Sequence, residues 1–174
     1  MDKLQLKALT FAENAHSGQM RKYSEGEHYI QHPIRVARIV DEYDSSDAMI
    51  CAALLHDVVE DSETTVEDLE KEFGKEISSL VSDLTNTTPK TAGKRSERHK
   101  LECERIRGIS NAAKTIKCAD AIDNLGDISE KADPDYAKLY CMEKDYLLHH
   151  SLLGADPLIW ERLHRLIEDI KKGF

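Results

Sequence analysis

The sequence predicts an all-α protein, a single compact bundle of about eight helices, and three observations predict it. Glycine and proline together make only 12 of 174 residues, about 7% against the roughly 12% of average usage, so few built-in breaks interrupt a helix. Leucine (18) and alanine (15) far outnumber valine (6), a bias toward helix formers over β-branched strand formers. Apolar residues recur three and four apart in the segments at both ends of the chain. With 40% hydrophobic residues there is material for a core. The length suits one domain over residues 1–174, since chains usually split only above about 250–300 residues.

Taken in order, Leu4, Ala8, Phe11, Ala12 and Ala15 form a stripe that predicts a helix over 4–17. Residues 18–31 (GQMRKYSEGEHYIQ) have little periodicity and two glycines, and predict a loop. Pro33 suits a first helical turn, and Ile34, Ala37 and Val40 carry a second helix to about Tyr43. Ser46 is placed to cap a third helix over 47–56, apolar enough to be buried. Thr64-Thr65-Val66-Glu67 fits a capping box, with Gly74 ending the short helix it starts and another helix following over 75–86. TTPKTAGK (87–94) is a loop, and helices follow over 97–107 and 111–130. Asp133-Pro134 and Asp156-Pro157 each set a cap before a first-turn proline, opening helices over 135–153 and 157–172. No repeat, low-complexity tract or linker interrupts this order.

Charge and composition remove several function classes. With 24 Lys+Arg against 33 Asp+Glu and a net charge of −9, the chain is a poor general binder of nucleic acid. Residues 86–117 oppose the trend, with nine Lys/Arg and three Glu. The longest apolar run, Ala48 to Leu55, has eight residues, well short of the roughly 18 of a membrane span. The start, MDKLQLKALT, lacks the apolar centre of a signal peptide, and a cytoplasmic location is expected. Cys51, Cys103, Cys118 and Cys141 show no CxxC spacing and lie in apolar stretches, so buried reduced thiols are expected.

Of eight histidines, His28, His99, His149, His150 and His164 read as solvated or partly packed, and His16 as a structural hydrogen bonder at a helix end. Three elements differ: His32 before Pro33, the dipeptide His56-Asp57, and Asp120. His56-Asp57 emerges where the apolar run AALLHDVVED ends. Asp120 borders the apolar face of IKCADAIDNL. Taken singly, His56 is a helix-end cap and Asp120 a partner of Lys117. Taken together, two imidazoles and two carboxylates are a donor set for a divalent cation.

His32, then His56-Asp57, then Asp120 resembles the H…HD…D signature of the HD superfamily of metal-dependent phosphohydrolases, which are all-helical. HSGQMRKYSEGEHYIQHP, LLHDVVEDSETT and IKCADAIDNL resemble three successive motifs of the hydrolase domain of RelA/SpoT-type alarmone enzymes, and most closely the small stand-alone alarmone hydrolases. The resemblance covers roughly residues 11–128, and no synthetase or regulatory domain is expected in the residues that remain. It implies that His32, His56, Asp57 and Asp120 are metal ligands and that the ion is Mn²⁺. The donor set itself suits Mn²⁺, Zn²⁺, Fe²⁺ or Co²⁺ alike. Positions left open on the ion would take water and a substrate oxygen.

The resemblance also implies that Glu60 and Asp61 orient and deprotonate the attacking water. Arg21 and Lys22 fall where the family has an Arg-Lys pair, the arginine stacking on the purine and the lysine meeting phosphate. Asn124, one turn after Asp120, would hydrogen-bond the ribose. Lys90, Lys94, Arg95, Arg98 and Lys144 are candidate cations for the 5′ phosphates. Departures from the family pattern fall around the nucleotide pocket. The first loop is one residue longer, His28 stands where proline is usual, Gly126 replaces a frequent arginine and Cys118 a leucine. The expected function is a metal-dependent 3′-pyrophosphohydrolase acting on a phosphorylated purine nucleotide, (p)ppGpp or (pp)pApp. The alternatives are a broader HD phosphatase of nucleotides or NADPH that releases orthophosphate, and a non-catalytic nucleotide-binding module.

Overall fold

The computed structural model describes residues 2–24, 26–43, 45–89 and 91–174. The chain is all-α: among the described residues the only β pairing is an isolated bridge between Met20 and His28. Among the described residues ten helices are formed, one of them a single turn. They fall into two compact units, Met1–Thr85 and Asn86–Phe174.

In the first unit, α1 (Lys3–Ala15) starts at Asp2, whose carboxylate accepts the Gln5 N–H at 2.8 Å. After the 18–30 loop come α2 (Gln31–Asp41) and α3 (Asp47–Leu55). The predicted cap on α3 is formed, with Ser46 Oγ accepting the Met49 N–H at 3.3 Å. Ala48 and every residue from Ile50 to Leu55 are buried, as befits a helix that is apolar all round. α3 packs against α1, α2 and α6 (Lys75–Leu84), and its alanines let these neighbours approach closely. The site dipeptide therefore stands at the end of the most enclosed rod of this unit.

Two features differ from the sequence expectation. A one-turn helix, α4 (Val58–Asp61), follows His56-Asp57 directly; four residues are too few to carry a readable period. The capping box of α5 (Val66–Phe73) has Thr65 as cap and Asp68, not Glu67, as its answer, each accepting the other's backbone N–H at 3.2 Å. Gly74 ends α5 and opens α6.

In the second unit, α8 (Asn111–Lys131) packs against α9 (Pro134–Ser151) and α10 (Pro157–Lys171), while α7 (Arg95–Arg107) lies on α9. The two Asp-Pro caps are formed as expected: Asp133 accepts from Asp135 and Tyr136, and Asp156 from Leu158 and Ile159. Polar ties lock the helices in register. Lys114 Nζ, on a buried lysine, donates to the Leu153 carbonyl at 3.1 Å, and Ser151 Oγ to the Cys103 carbonyl at 2.7 Å. All four cysteines are free and buried. Among the described residues no helix is long and apolar enough to cross a membrane.

Candidate metal centre

α2 begins at Gln31, two residues ahead of Pro33. Proline in a first turn brings a preset φ and no N–H needing a partner. The start places His32 in that same turn, 1% exposed. Its Nε2 lies 3.6 Å from Asp57 Oδ2, and His56 Nε2 lies 3.1 Å from the same oxygen. The two rings meet edge to face at 5.1 Å between centroids.

His56 Nδ1 is 2.7 Å from the Ala53 carbonyl. A carbonyl only accepts, so Nδ1 carries a proton and Nε2 is the nitrogen turned to Asp57, the one that offers a lone pair when the ring is neutral. The helix-end cap and the candidate ligand are thus one residue using its two nitrogens. Tyr29, reaching in from the 18–30 loop, donates its hydroxyl to Asp57 Oδ2 at 2.6 Å. One donor atom each from His32, His56 and Asp57 lies within 4.8 Å of the others, the only such group among the described residues. Lone pairs converging in a buried place repel one another unless a cation joins them. Two imidazole nitrogens with a carboxylate and no thiolate fit a first-row divalent ion. An Nδ1–H held by a carbonyl is the usual support of an imidazole that binds metal through Nε2. The residues fit the ion.

The acidic pair is set by α4. The Glu60 and Asp61 N–H groups both donate to the Asp57 carbonyl, at 3.1 and 3.0 Å. That turn fixes both side chains one helical turn beyond Asp57. Partial desolvation, then the neighbouring Asp57 carboxylate, raises the Asp61 carboxyl above the ordinary range, while His16, Tyr29 and His56 oppose the rise. Arg21 in the loop lies over the Tyr29 ring at 5.9 Å, and exposed Lys22 over Tyr23 at 5.0 Å. In the first unit Tyr29 therefore meets the His32 ring at 5.8 Å, the Asp57 carboxylate and Asp61.

The second unit carries the remaining candidates. Asp120, 6% exposed on α8, faces Lys117 Nζ at 3.0 Å and accepts the Asn124 amide at 2.5 Å. The Lys117 pairing foreseen from the sequence is present. Burial holds the Lys144 ammonium below the usual lysine range, against the pull of Asp120. Arg95 clamps Glu143 with two donors, at 2.8 and 2.7 Å. Burial would lift Glu143, yet this clamp holds it lowered. Arg98 donates to the Gly93 carbonyl at 2.7 Å, and exposed Lys94 gives its backbone N–H to Glu97 at 2.6 Å. Lys90 lies outside the described residues.

Sequence reasoning missed Tyr29 and Gln19. Tyr29 stands one helical turn before His32, the single local hint of a shared face. Gln19 Nε2 donates to the Asp61 carbonyl at 2.9 Å across 42 residues, for which the sequence carries no sign.

An all-helical chain in which an His-Asp dipeptide meets a second buried histidine belongs to a definable class, the HD-domain proteins. A family model described as an HD domain matches residues 8–142, and the chain belongs to that family. Within it the chain is similar to human guanosine-3′,5′-bis(diphosphate) 3′-pyrophosphohydrolase MESH1, 42% identical over 128 residues that cover 71% of this chain and 69% of the human one. The Drosophila melanogaster protein of the same name is 37% identical over 125 residues, 71% of this chain and 68% of that protein. A probable guanosine-3′,5′-bis(diphosphate) 3′-pyrophosphohydrolase of Mycoplasma pneumoniae is 34% identical over 131 residues, 70% of this chain but 18% of that protein. Among solved structures, one described as a metazoan ortholog of SpoT that hydrolyzes ppGpp matches with a TM-score of 0.86 and 28% identity, covering 97% of this chain and 96% of that one.

Proposed function

We propose that this chain is a metal-dependent 3′-pyrophosphohydrolase of a nucleotide alarmone, ppGpp or a close relative in the (p)ppGpp and (pp)pApp series. We further propose that residues 1–174 act as one HD domain in the cytoplasm. The observation that carries the reading is the cluster of buried His32 and His56 with part-exposed Asp57, in a chain 42% identical over 128 residues to a human enzyme named for that reaction. Mn²⁺ is the proposed ion. Asp120 is the proposed fourth ligand, on the strength of the IKCADAIDNL motif that carries it.

A divalent ion held by these residues supplies Lewis acidity, which neutralises charge developing on the phosphoryl oxygens. Everything else in the reaction falls to side chains. Glu60 with Asp61 holds a water against the phosphorus bonded to the ribose 3′ oxygen and takes its proton as the new P–O bond forms. The 3′ oxygen–phosphorus bond breaks, pyrophosphate departs with the oxygen of the water, and the ribose oxygen gains a proton. Arg21 and Asn124 fix base and ribose, and Lys22 meets phosphate, so the diphosphate is presented in line. Lys94, Arg95, Arg98 and Lys144 are the proposed cations for the 5′ phosphates, Arg95 by exchanging its clamp on Glu143 for phosphate.

The test is to incubate the Mn²⁺-loaded protein with ppGpp, pppApp and NADPH and to identify the products by mass. Pyrophosphate with GDP from ppGpp is the expected result. Orthophosphate as the sole released product would replace the reading by a broader phosphatase. Tight alarmone binding without turnover under Mn²⁺, Zn²⁺, Fe²⁺ and Co²⁺ would replace it by a nucleotide sensor.

A further inference from the structure

His16 ends α1 with its ring 3% exposed. Its Nδ1 lies 2.9 Å from Gln19 Oε1, and Gln19 Nε2 donates to the Asp61 carbonyl at 2.9 Å. The direction of this chain is forced. A backbone carbonyl accepts only, so Gln19 turns its NH₂ to Asp61 and its oxygen to His16, and the proton must sit on His16 Nδ1. Nε2 is left as a buried nitrogen without a hydrogen-bond partner. Such an atom is a cost that an apolar residue filling the same space would avoid.

The rest of Gln19 is equally fixed. Its N–H donates to the His16 carbonyl at 3.0 Å and its carbonyl accepts the Tyr29 N–H at 2.9 Å. The His16 ring lies against the Tyr29 ring, centroids 4.8 Å apart, and Tyr29 in turn holds Asp57 Oδ2. One buried imidazole therefore braces two side chains that grip the HDVVED segment at separate points. Tyr29 holds the carboxylate of the ligand aspartate, and Gln19 the main chain at the end of the turn bearing Glu60 and Asp61.

We propose that His16 is a positioning residue, acting through Gln19 on the backbone of Asp61 and through Tyr29 on Asp57, so that the acidic pair is aimed at the site before substrate arrives. This inference rests on the hydrolase reading above. Positioning errors of about 1 Å are worth up to roughly a hundredfold in rate, so the brace acts on kcat rather than on substrate affinity.

The test is steady-state kinetics of the Mn²⁺-loaded protein with ppGpp, together with bound metal and Tm. The variants are His16→Ala, His16→Asn, Gln19→Met, Asp61→Asn and His16→Ala combined with Asp61→Asn. Asparagine places an amide donor near the position of Nδ1, and methionine keeps the length of Gln19 without its amide. The expected result is a fall in kcat of about 10–100-fold for His16→Ala and Gln19→Met. KM should stay within about twofold and the bound metal unchanged. His16→Asn should recover most of the rate, and the double variant should lose less than the product of its two single losses. Should His16→Ala fail to fold, Gln19→Met carries the same comparison. A wild-type kcat in His16→Ala and Gln19→Met beside a crippled Asp61→Asn would overturn the brace, as would metal and rate lost in equal proportion, or losses that multiply. Full activity in Asp61→Asn would instead overturn the assignment of the acidic pair, and the brace with it.

Discussion

At the scale of single residues, what a side chain does is decided by which of its atoms are already engaged. His56 spends Nδ1 on the Ala53 carbonyl, and that leaves Nε2 as the nitrogen turned to Asp57. Glu60 is exposed on α4, its N–H tied to Asp57 and its carboxylate one helical turn beyond. Glu60→Gln keeps the shape and removes the base. Turnover should fall by about 10²–10⁴, the usual worth of a general base, while bound metal is unchanged. Loss of metal in that variant, measured by elemental analysis, would remove Glu60 from the base's role. The cysteines make a second residue-scale case. Burial pushes the Cys51 and Cys103 thiols to about 11 and Cys118 to about 12, from 9.0. At pH 8 the thiolate fraction at these three is negligible, so a thiol reagent should label them only after unfolding. The same shifts make stability depend on pH. From about pH 9 the unfolded chain ionises thiols that the folded chain keeps protonated, so unfolding releases protons and stability falls as pH rises toward the folded values. Cys118→Ala should flatten that decline between pH 9 and 12 in denaturant titrations. An unaltered slope would show the thiol to be uninvolved.

At the scale of elements, the legible features were those whose cause lies within a few residues. The caps at Ser46, Asp133 and Asp156 are each a side chain bonding an N–H two or three positions on, so the sequence displays the whole interaction. The grouping of His32, His56 and Asp57 was legible for another reason: ionisable residues ending an apolar run must find partners, and their order matched a known motif. α4 was illegible because one turn has no period. The grips of Tyr29 on Asp57 and Gln19 on Asp61 span 28 and 42 residues, and such pairings exist only once α1, α3 and the loop between have packed. Gly74 offers a test at this scale. It stands at φ +83°, ψ 170°, between α5 and α6, and a Cβ added there would meet nothing within 4 Å. Its substitution therefore isolates backbone conformation from packing. Gly74→Ala should destabilise by about 1–3 kcal/mol, the cost of holding a residue with a side chain in a region open to glycine. Chemical denaturation reads this directly. A change within about 0.5 kcal/mol, the range of neutral surface substitutions, would mean that the α5–α6 junction relaxes to another path.

At the scale of the whole chain, ligand binding and folding draw on the same free energy. An ion that binds the native protein and not the unfolded chain stabilises it by RT ln(1 + [L]/Kd), about 2.7 kcal/mol at a hundredfold excess over Kd. For a chain of 174 residues this corresponds to a rise in Tm of about 5–10 °C, at roughly 2–4 °C per kcal/mol. Mn²⁺ should therefore raise the melting temperature in calorimetry and a chelator should reverse it. In His56→Ala the shift should shrink sharply, because the variant loses one of the two imidazole donors and leaves His32 and Asp57 with the proposed Asp120 as an incomplete donor set. Asp120→Asn separates the proposed fourth ligand from the other three: a reduced shift keeps Asp120 in the set, and an undiminished one removes it. The shape of the melt answers the remaining question. One transition whose calorimetric and van't Hoff enthalpies agree is expected of a single domain over 1–174. Two separate transitions, with Mn²⁺ moving only one of them, would divide the chain into independently folding parts and assign the ion to the part bearing His32, His56 and Asp57.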